Sequence, residues 1–177
     1  MTSRAYAIFE TGMQDVAKLI QLFDNLESPE QRQQYEVLKR AALVMTTTAW
    51  ESYIEAFLHE LLIKKINGIQ GSFAGDFIQQ KFEAEIKKLN NPSGDKVRQL
   101  SKEFLRFDIT EQWKWANTEP AQARQQLNHW LSKRGDAVHR ACESDNPQKA
   151  HLVKKEDLDK AVRFFRELVK VTDGVSV

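Results

Sequence analysis

Arg134 and His139 lie five residues apart in the string Leu127-Asn128-His129-Trp130-Leu131-Ser132-Lys133-Arg134-Gly135-Asp136-Ala137-Val138-His139. A guanidinium grips phosphate oxygens with a planar fork of donors, and an imidazole exchanges protons near neutral pH. Together they are the minimum kit for cleaving a phosphodiester without a metal ion. The arginine holds the phosphate and offsets the charge that develops on its oxygens, while the imidazole moves a proton to or from the 2′-hydroxyl or the leaving oxygen. Two carboxylates are candidates for support. Asp136, three residues before His139, is spaced to orient it, with an exposed pair to Arg140 as the plainer reading. Glu51, beside Trp50 on a long apolar-striped segment, is read either as an acid facing the motif or as a residue of the polar side.

Other constellations carry less. Arg124 and His129 repeat the same spacing, as chance allows for so short a motif in a chain with this many arginines. His59-Glu60 begins like a zinc-protease helix, but Ile63 stands where the second histidine belongs, and no metal or cofactor is expected. Cys142 has no base at helical distance except His139. Gly68, Gly71 and Gly75 fit no phosphate-loop spacing and read as a turn. Lys154, Lys155, Lys160, Arg163 and Arg166 form a basic face, read either as a track for an RNA backbone or, interleaved with Glu156, Asp157 and Asp159, as a solvated face, the plainer reading.

The elements that must position these residues are helices. Ile8, Phe9, Val16, Leu19, Ile20, Phe23 and Leu26 recur at three- and four-residue steps, which predicts a helix over about 5–26. Ser28-Pro29-Glu30-Gln31 is a strong start signal with the makings of a capping box. From Pro29 the pattern runs to about Ile66 with two stripes. Leu38, Ala42, Met45, Ala49 and Tyr53 make one; Leu43, Trp50, Ile54, Phe57 and Leu61 make the other, the mark of a central helix. Phe73, Phe77, Ile78, Phe82, Ile86 and Leu89 predict a third helix stopped at Asn90-Asn91-Pro92, and Val97, Leu100, Phe104 and Leu105 a fourth. Phe107 to Glu119 has no period and is expected to wrap the bundle, with Trp113 and Trp115 read either as base-stacking rings or, more plainly, as pins to the core. A fifth helix starts near Pro120, carries the motif and ends at Ser144-Asp145-Asn146-Pro147; a last one spans about Glu156 to Val171. The fold class expected is all-α, one antiparallel bundle of five or six helices over residues 1–177.

Composition agrees. The chain has 177 residues, seven glycines and four prolines, so helices are favoured over the frequent turns of a sandwich. A single cysteine excludes an internal disulfide, no apolar run approaches membrane-spanning length, and a cytoplasmic location is expected. A net charge of +1 argues against coating nucleic acid through bulk positive potential. Distribution is more telling: residues 1–60 carry five Lys/Arg against nine Asp/Glu, whereas 133–170 carry ten against seven. Phosphates are expected to meet the C-terminal third.

The motif string resembles the arginine, four-to-six residues, histidine signature of the HEPN superfamily. Leu38-Lys39-Arg40-Ala41-Ala42-Leu43 through Trp50-Glu51-Ser52-Tyr53-Ile54-Glu55 is similar to the long second helix of its RiboL-PSP-HEPN-like branch. Active members commonly carry Asn, Asp or His after the arginine; here that position is Gly135, with the acid one later. The resemblance implies a helical homodimer in which two motifs meet across a two-fold axis and cut RNA without metal, often as a toxin or antiviral effector, with a cognate antitoxin protein among its partners. In that reading Arg134 and His139 are catalytic and Asp136 and Glu51 supporting. Helical geometry is compatible: positions five apart are rotated by roughly 140°, so a second chain can supply what one cannot focus. The alternatives are a non-catalytic HEPN-type module that binds RNA or protein, and a helical adaptor.

Overall fold

Ser3 opens α1 (Arg4–Asp24) by accepting the Tyr6 amide at 2.9 Å, which satisfies one orphan donor of the first turn. The computed structural model describes residues 2–139 and 153–175, the side chain of His139 excepted. Ala5, Phe9, Met13 and Val16 form the buried stripe of α1, and α1 packs along α3 (Val37–Lys65). Gly12 makes that packing close, since a Cβ there would come within 2.9 Å of the Ala49 Cβ.

The expected helix from Pro29 to Ile66 is two helices. Ser28 and Gln31 form the anticipated capping box at the start of α2 (Pro29–Gln34), but the helix stops at Tyr35, and α3 runs over Val37–Lys65. The physical reason is in the residues: Pro-Glu-Gln-Arg-Gln-Gln buries nothing, so no packing holds α2 in line with α3. α3 itself is central, as its two stripes predict, with Leu43, Trp50, Tyr53, Ile54, Leu58 and Leu61 each at most 1 % exposed. Burying each such side chain contributes about 1.5–3 kcal/mol. α1, α4, α6 and α7 all pack on it.

A short 3-10 turn (Asn67–Ile69) leads to α4 (Phe73–Ile86), opened by Ser72 accepting the Gly75 amide. The helix is the one the spacing predicts, but its apolar residues divide: Phe73 and Phe77 are 89 % and 52 % exposed and stack on each other, while Phe82 is fully buried. α5 (Gly94–Leu100) continues as a π turn through Ser101–Leu105.

The segment after Phe107 wraps the bundle as anticipated, around a 3-10 turn (Ile109–Gln112). Trp113 is fully buried and meets Trp50 edge-on, ring centres 5.9 Å apart. The Trp50 indole in turn donates to the Pro92 carbonyl at 3.1 Å, so one residue of α3 fixes two connecting segments.

α6 (Pro120–His139) and α7 (Lys155–Asp173) complete the bundle. The expected helix end at Ser144 to Pro147 lies outside the described residues. The two ends of α7 are tied to α1: the Ser3 hydroxyl and amide donate to Asp173, and Lys155 pairs with Asp24 at 3.3 Å. Among the described residues there is no strand, only an isolated bridge between Trp115 and Thr118, and no helix is long and apolar enough to cross a membrane.

Candidate functional site on the sixth helix

α6 enters the core through Ala123, Leu127, Trp130 and Leu131, all buried. Steps of three and four residues along that stripe lead next to Arg134 and then to Ala137 and Val138. A guanidinium therefore occupies a core-facing position of the helix, where the pattern calls for an apolar side chain. Arg134 is half-buried there, and among the described residues no carboxylate lies within ion-pair distance of it. Ala137 is buried, whereas Val138 beside it is 42 % exposed, so the stripe meets the surface of the bundle here.

Gly135 does not break the helix, which continues through it to His139. A Cβ at Gly135 would meet nothing within 4 Å, so nothing in the described chain requires a glycine at this position. With the helix unbroken, positions 134 and 139 are rotated by roughly 140° about its axis. The side chain of His139 lies outside the described residues, as do Arg140, Cys142 and His151. Asp136, half-buried, stands on the last turns of α6 between the two motif positions.

Glu51 serves a different place. Its Oε1 accepts the Asn91 amide at 2.9 Å, holding the turn in which Asn91 takes a left-handed φ of 56°. No hydrogen bond or ion pair joins it to Arg134 among the described residues. One turn along α3, burial pushes the Glu55 carboxyl above the usual carboxylate range, and the charge of Glu51 adds to the shift.

In the competing pair the arginine is already engaged. Arg124 Nη1 donates to Thr110 Oγ1 at 3.0 Å and to Glu111 Oε1 at 2.9 Å, fastening the 3-10 turn to α6. Its aliphatic stem also packs against Gly94, where a Cβ would come within 2.9 Å. The zinc-like start at His59-Glu60 is likewise accounted for: Glu60 accepts the Ala5 amide at 2.8 Å, and His59 faces Glu83 at 3.9 Å. No three His, Cys, Asp or Glu side chains gather as metal ligands among the described residues.

The basic face of α7 divides into two sets. Arg166 pairs with Glu10 at 3.0 Å. Lys155 pairs with Asp24 and Asp159; burial pulls its ammonium down, but the two hydrogen-bonded carboxylates outweigh that and raise it. Lys160 and Arg163 are exposed and have no carboxylate within ion-pair distance among the described residues. They line a groove with Trp115, Gln126, His129, Trp130, Phe164 and Glu167. Sequence reasoning singled out Trp115, Lys160 and Arg163 separately but did not join them in one groove, although Lys160, Arg163, Phe164 and Glu167 fall on one face at three- and four-residue steps.

Compared with known proteins, residues 13–176 match the family model described as RiboL-PSP-HEPN. No curated protein and no solved structure matches the chain.

Proposed function

Because the chain belongs to the RiboL-PSP-HEPN family, we propose that it is a metal-independent endoribonuclease whose active site is completed by a second copy of the chain. The observation that carries this reading is Arg134: a guanidinium in the core-facing register of α6, half-buried and without a carboxylate partner among the described residues. A partly desolvated, unpaired cation is costly unless an anion comes to it, and a phosphate is the anion its fork fits best.

In the proposed reaction Arg134 binds the non-bridging oxygens of the scissile phosphate. His139 takes the proton of the 2′-hydroxyl as its oxygen bonds to phosphorus; the bond to the 5′-oxygen breaks, and that oxygen takes up a proton, from the second imidazole of the dimer. The products are a 2′,3′-cyclic phosphate and a 5′-hydroxyl, so no water and no metal enters the bond-breaking step. Two motifs across a two-fold axis suit this division of labour, because positions 134 and 139 diverge on one helix. The open flank at Gly135 leaves room for a partner backbone or the phosphate. Asp136 is proposed to orient the imidazole, and Glu51 to support the site only through the turn it holds. A role as a toxin or antiviral effector, restrained by a cognate antitoxin protein, goes with this activity.

The test is cleavage of RNA by the purified chain in EDTA, with Arg134→Ala and His139→Ala beside it and light scattering to weigh each. Cutting by a dimer, lost in both variants with mass and helical content intact, is the expected result. Gly135 favours a second reading, a non-catalytic module that binds RNA or protein, because a polar residue stands there in active members. Wild type that binds RNA but never cuts it would decide for the module.

A further inference from the structure

The groove between α6 and α7 lies next to the candidate site yet belongs to none of the motif positions. Its volume is about 470 Å³, and Trp115, Trp130 and Phe164 contribute its apolar wall. The Trp115 ring is half-buried and lies 5.8 Å from Phe164, while His129 stands edge-on to Trp130 at 5.1 Å. Along the α7 side run Lys160 and Arg163, with Glu167 one turn beyond Arg163. Those are the two cations of the α7 basic face that line the groove and lack carboxylate partners among the described residues, whereas Lys155 and Arg166 are tied to Asp24, Asp159 and Glu10.

We propose that this groove holds one unpaired nucleotide of the RNA chain, its base against the tryptophan and phenylalanine rings and its phosphate on Lys160 and Arg163. Aromatic rings beside unpaired cations make the combination that single-stranded nucleic acid binds through, because every base has a π-face and every linkage a charge. A duplex is a poor fit, since its bases are stacked on one another and show only their edges. The groove also connects to the candidate site. Trp130 precedes Arg134 by four residues, a rise of about 6 Å along α6, and Lys133 continues the groove face of the helix between them. A nucleotide seated on Trp130 is thus a neighbour of the phosphate assigned to Arg134. The inference rests on the ribonuclease reading for that phosphate, and it adds what the motif does not specify: the enzyme takes single-stranded RNA and seats a base next to the cut.

The experiment uses the full chain and a fluorescent single-stranded oligoribonucleotide made uncleavable by 2′-O-methyl groups, with a duplex of the same sequence beside it. The variant is Lys160→Glu/Arg163→Glu, both positions exposed, checked by circular dichroism and light scattering. Single-strand affinity is expected to fall at least tenfold. The slope of log affinity against log salt should flatten by about 1.4, two single-strand contacts' worth, and duplex binding should change far less. A 5-iodouridine beside the uncleavable linkage should cross-link to Trp115 or Trp130. Unchanged single-strand affinity in the variant, cross-links confined to other peptides, or equally tight binding of polyglutamate would overturn the groove. Cleavage of unmodified RNA separates the two readings. If wild type cuts and the variant binds and cuts as well as wild type, the groove falls and the nuclease stands. If the groove binds but wild type does not cut, the nuclease falls and the groove stands.

Discussion

Arg124 Nη1 lies 2.9 Å from Glu111 Oε1, and that contact separates two arginine–histidine pairs that look alike in the sequence. Arg124→Ala should cost about 1–3 kcal/mol, because buried Thr110 also loses its donor. Thermal unfolding should report the loss, while RNA cutting per folded molecule stays at the wild-type level. Arg134→Ala should do the reverse, lowering cutting at least a hundredfold with the melting temperature held or raised, since the residue has no ion pair among the described residues to lose. Equal stability losses in both variants would return Arg134 to a structural role.

Gly135→Ala tests the open flank of α6. The added methyl group meets nothing within 4 Å, so the helix should gain about 1 kcal/mol and melt about 2–4 °C higher. Cutting or dimer mass should fall, because the space is proposed to be filled by a partner chain or phosphate. A more stable protein with full activity and full dimer mass would show that nothing approaches there.

Gly12→Ala is the control with the opposite sign. Its methyl group would lie 2.9 Å from the Ala49 Cβ, a short stub that cannot swing away, so α1 must shift off α3. Overpacking costs about 1–3 kcal/mol, which exceeds the gain in helix propensity. Urea unfolding should show a lower midpoint, with an unchanged midpoint counting against the close approach of the two helices.

Stability should depend on pH through Glu55. Burial, with Glu51 behind it, raises its folded-state pKa above the unfolded value. Between the two values the folded chain binds more protons than the unfolded one, so stability falls as pH rises through that window, and the penalty is complete above it. Glu55→Gln should therefore melt higher than wild type at pH 7. Near pH 3.5, below the ordinary glutamate value of about 4.3, the difference should vanish. A constant difference at both pH values would assign the effect to packing instead of charge.

What the sequence conveyed about the fold depended on whether packing or composition decides. The two stripes of α3 were readable because a helix buried on two sides must be apolar on two sides. The break at Tyr35 was not, since Pro29–Gln34 has ordinary helix formers and differs from α3 only in having nothing to bury. The exposure of Phe73 and Phe77 was not legible for a related reason: periodicity shows which face is apolar, not whether anything covers it. In the candidate site, Arg134 was singled out through its spacing to His139 and the leucines before it. Its half-buried place on the stripe with Leu127 and Leu131 follows from counting in threes and fours. The groove was beyond reach, because its walls come from positions 115, 130 and 164, and only tertiary structure brings them together.

With α1, α4, α6 and α7 each resting on it, α3 acts as the keystone. An amide in its middle can exchange with deuterium only when several neighbours leave at once, so the stretch from Leu43 to Leu61 should report global unfolding. α2 buries nothing and can come and go without disturbing it. The far end of α6, where the stripe meets the surface at Val138, is then the place where evolution can rewrite chemistry without dislodging the arch.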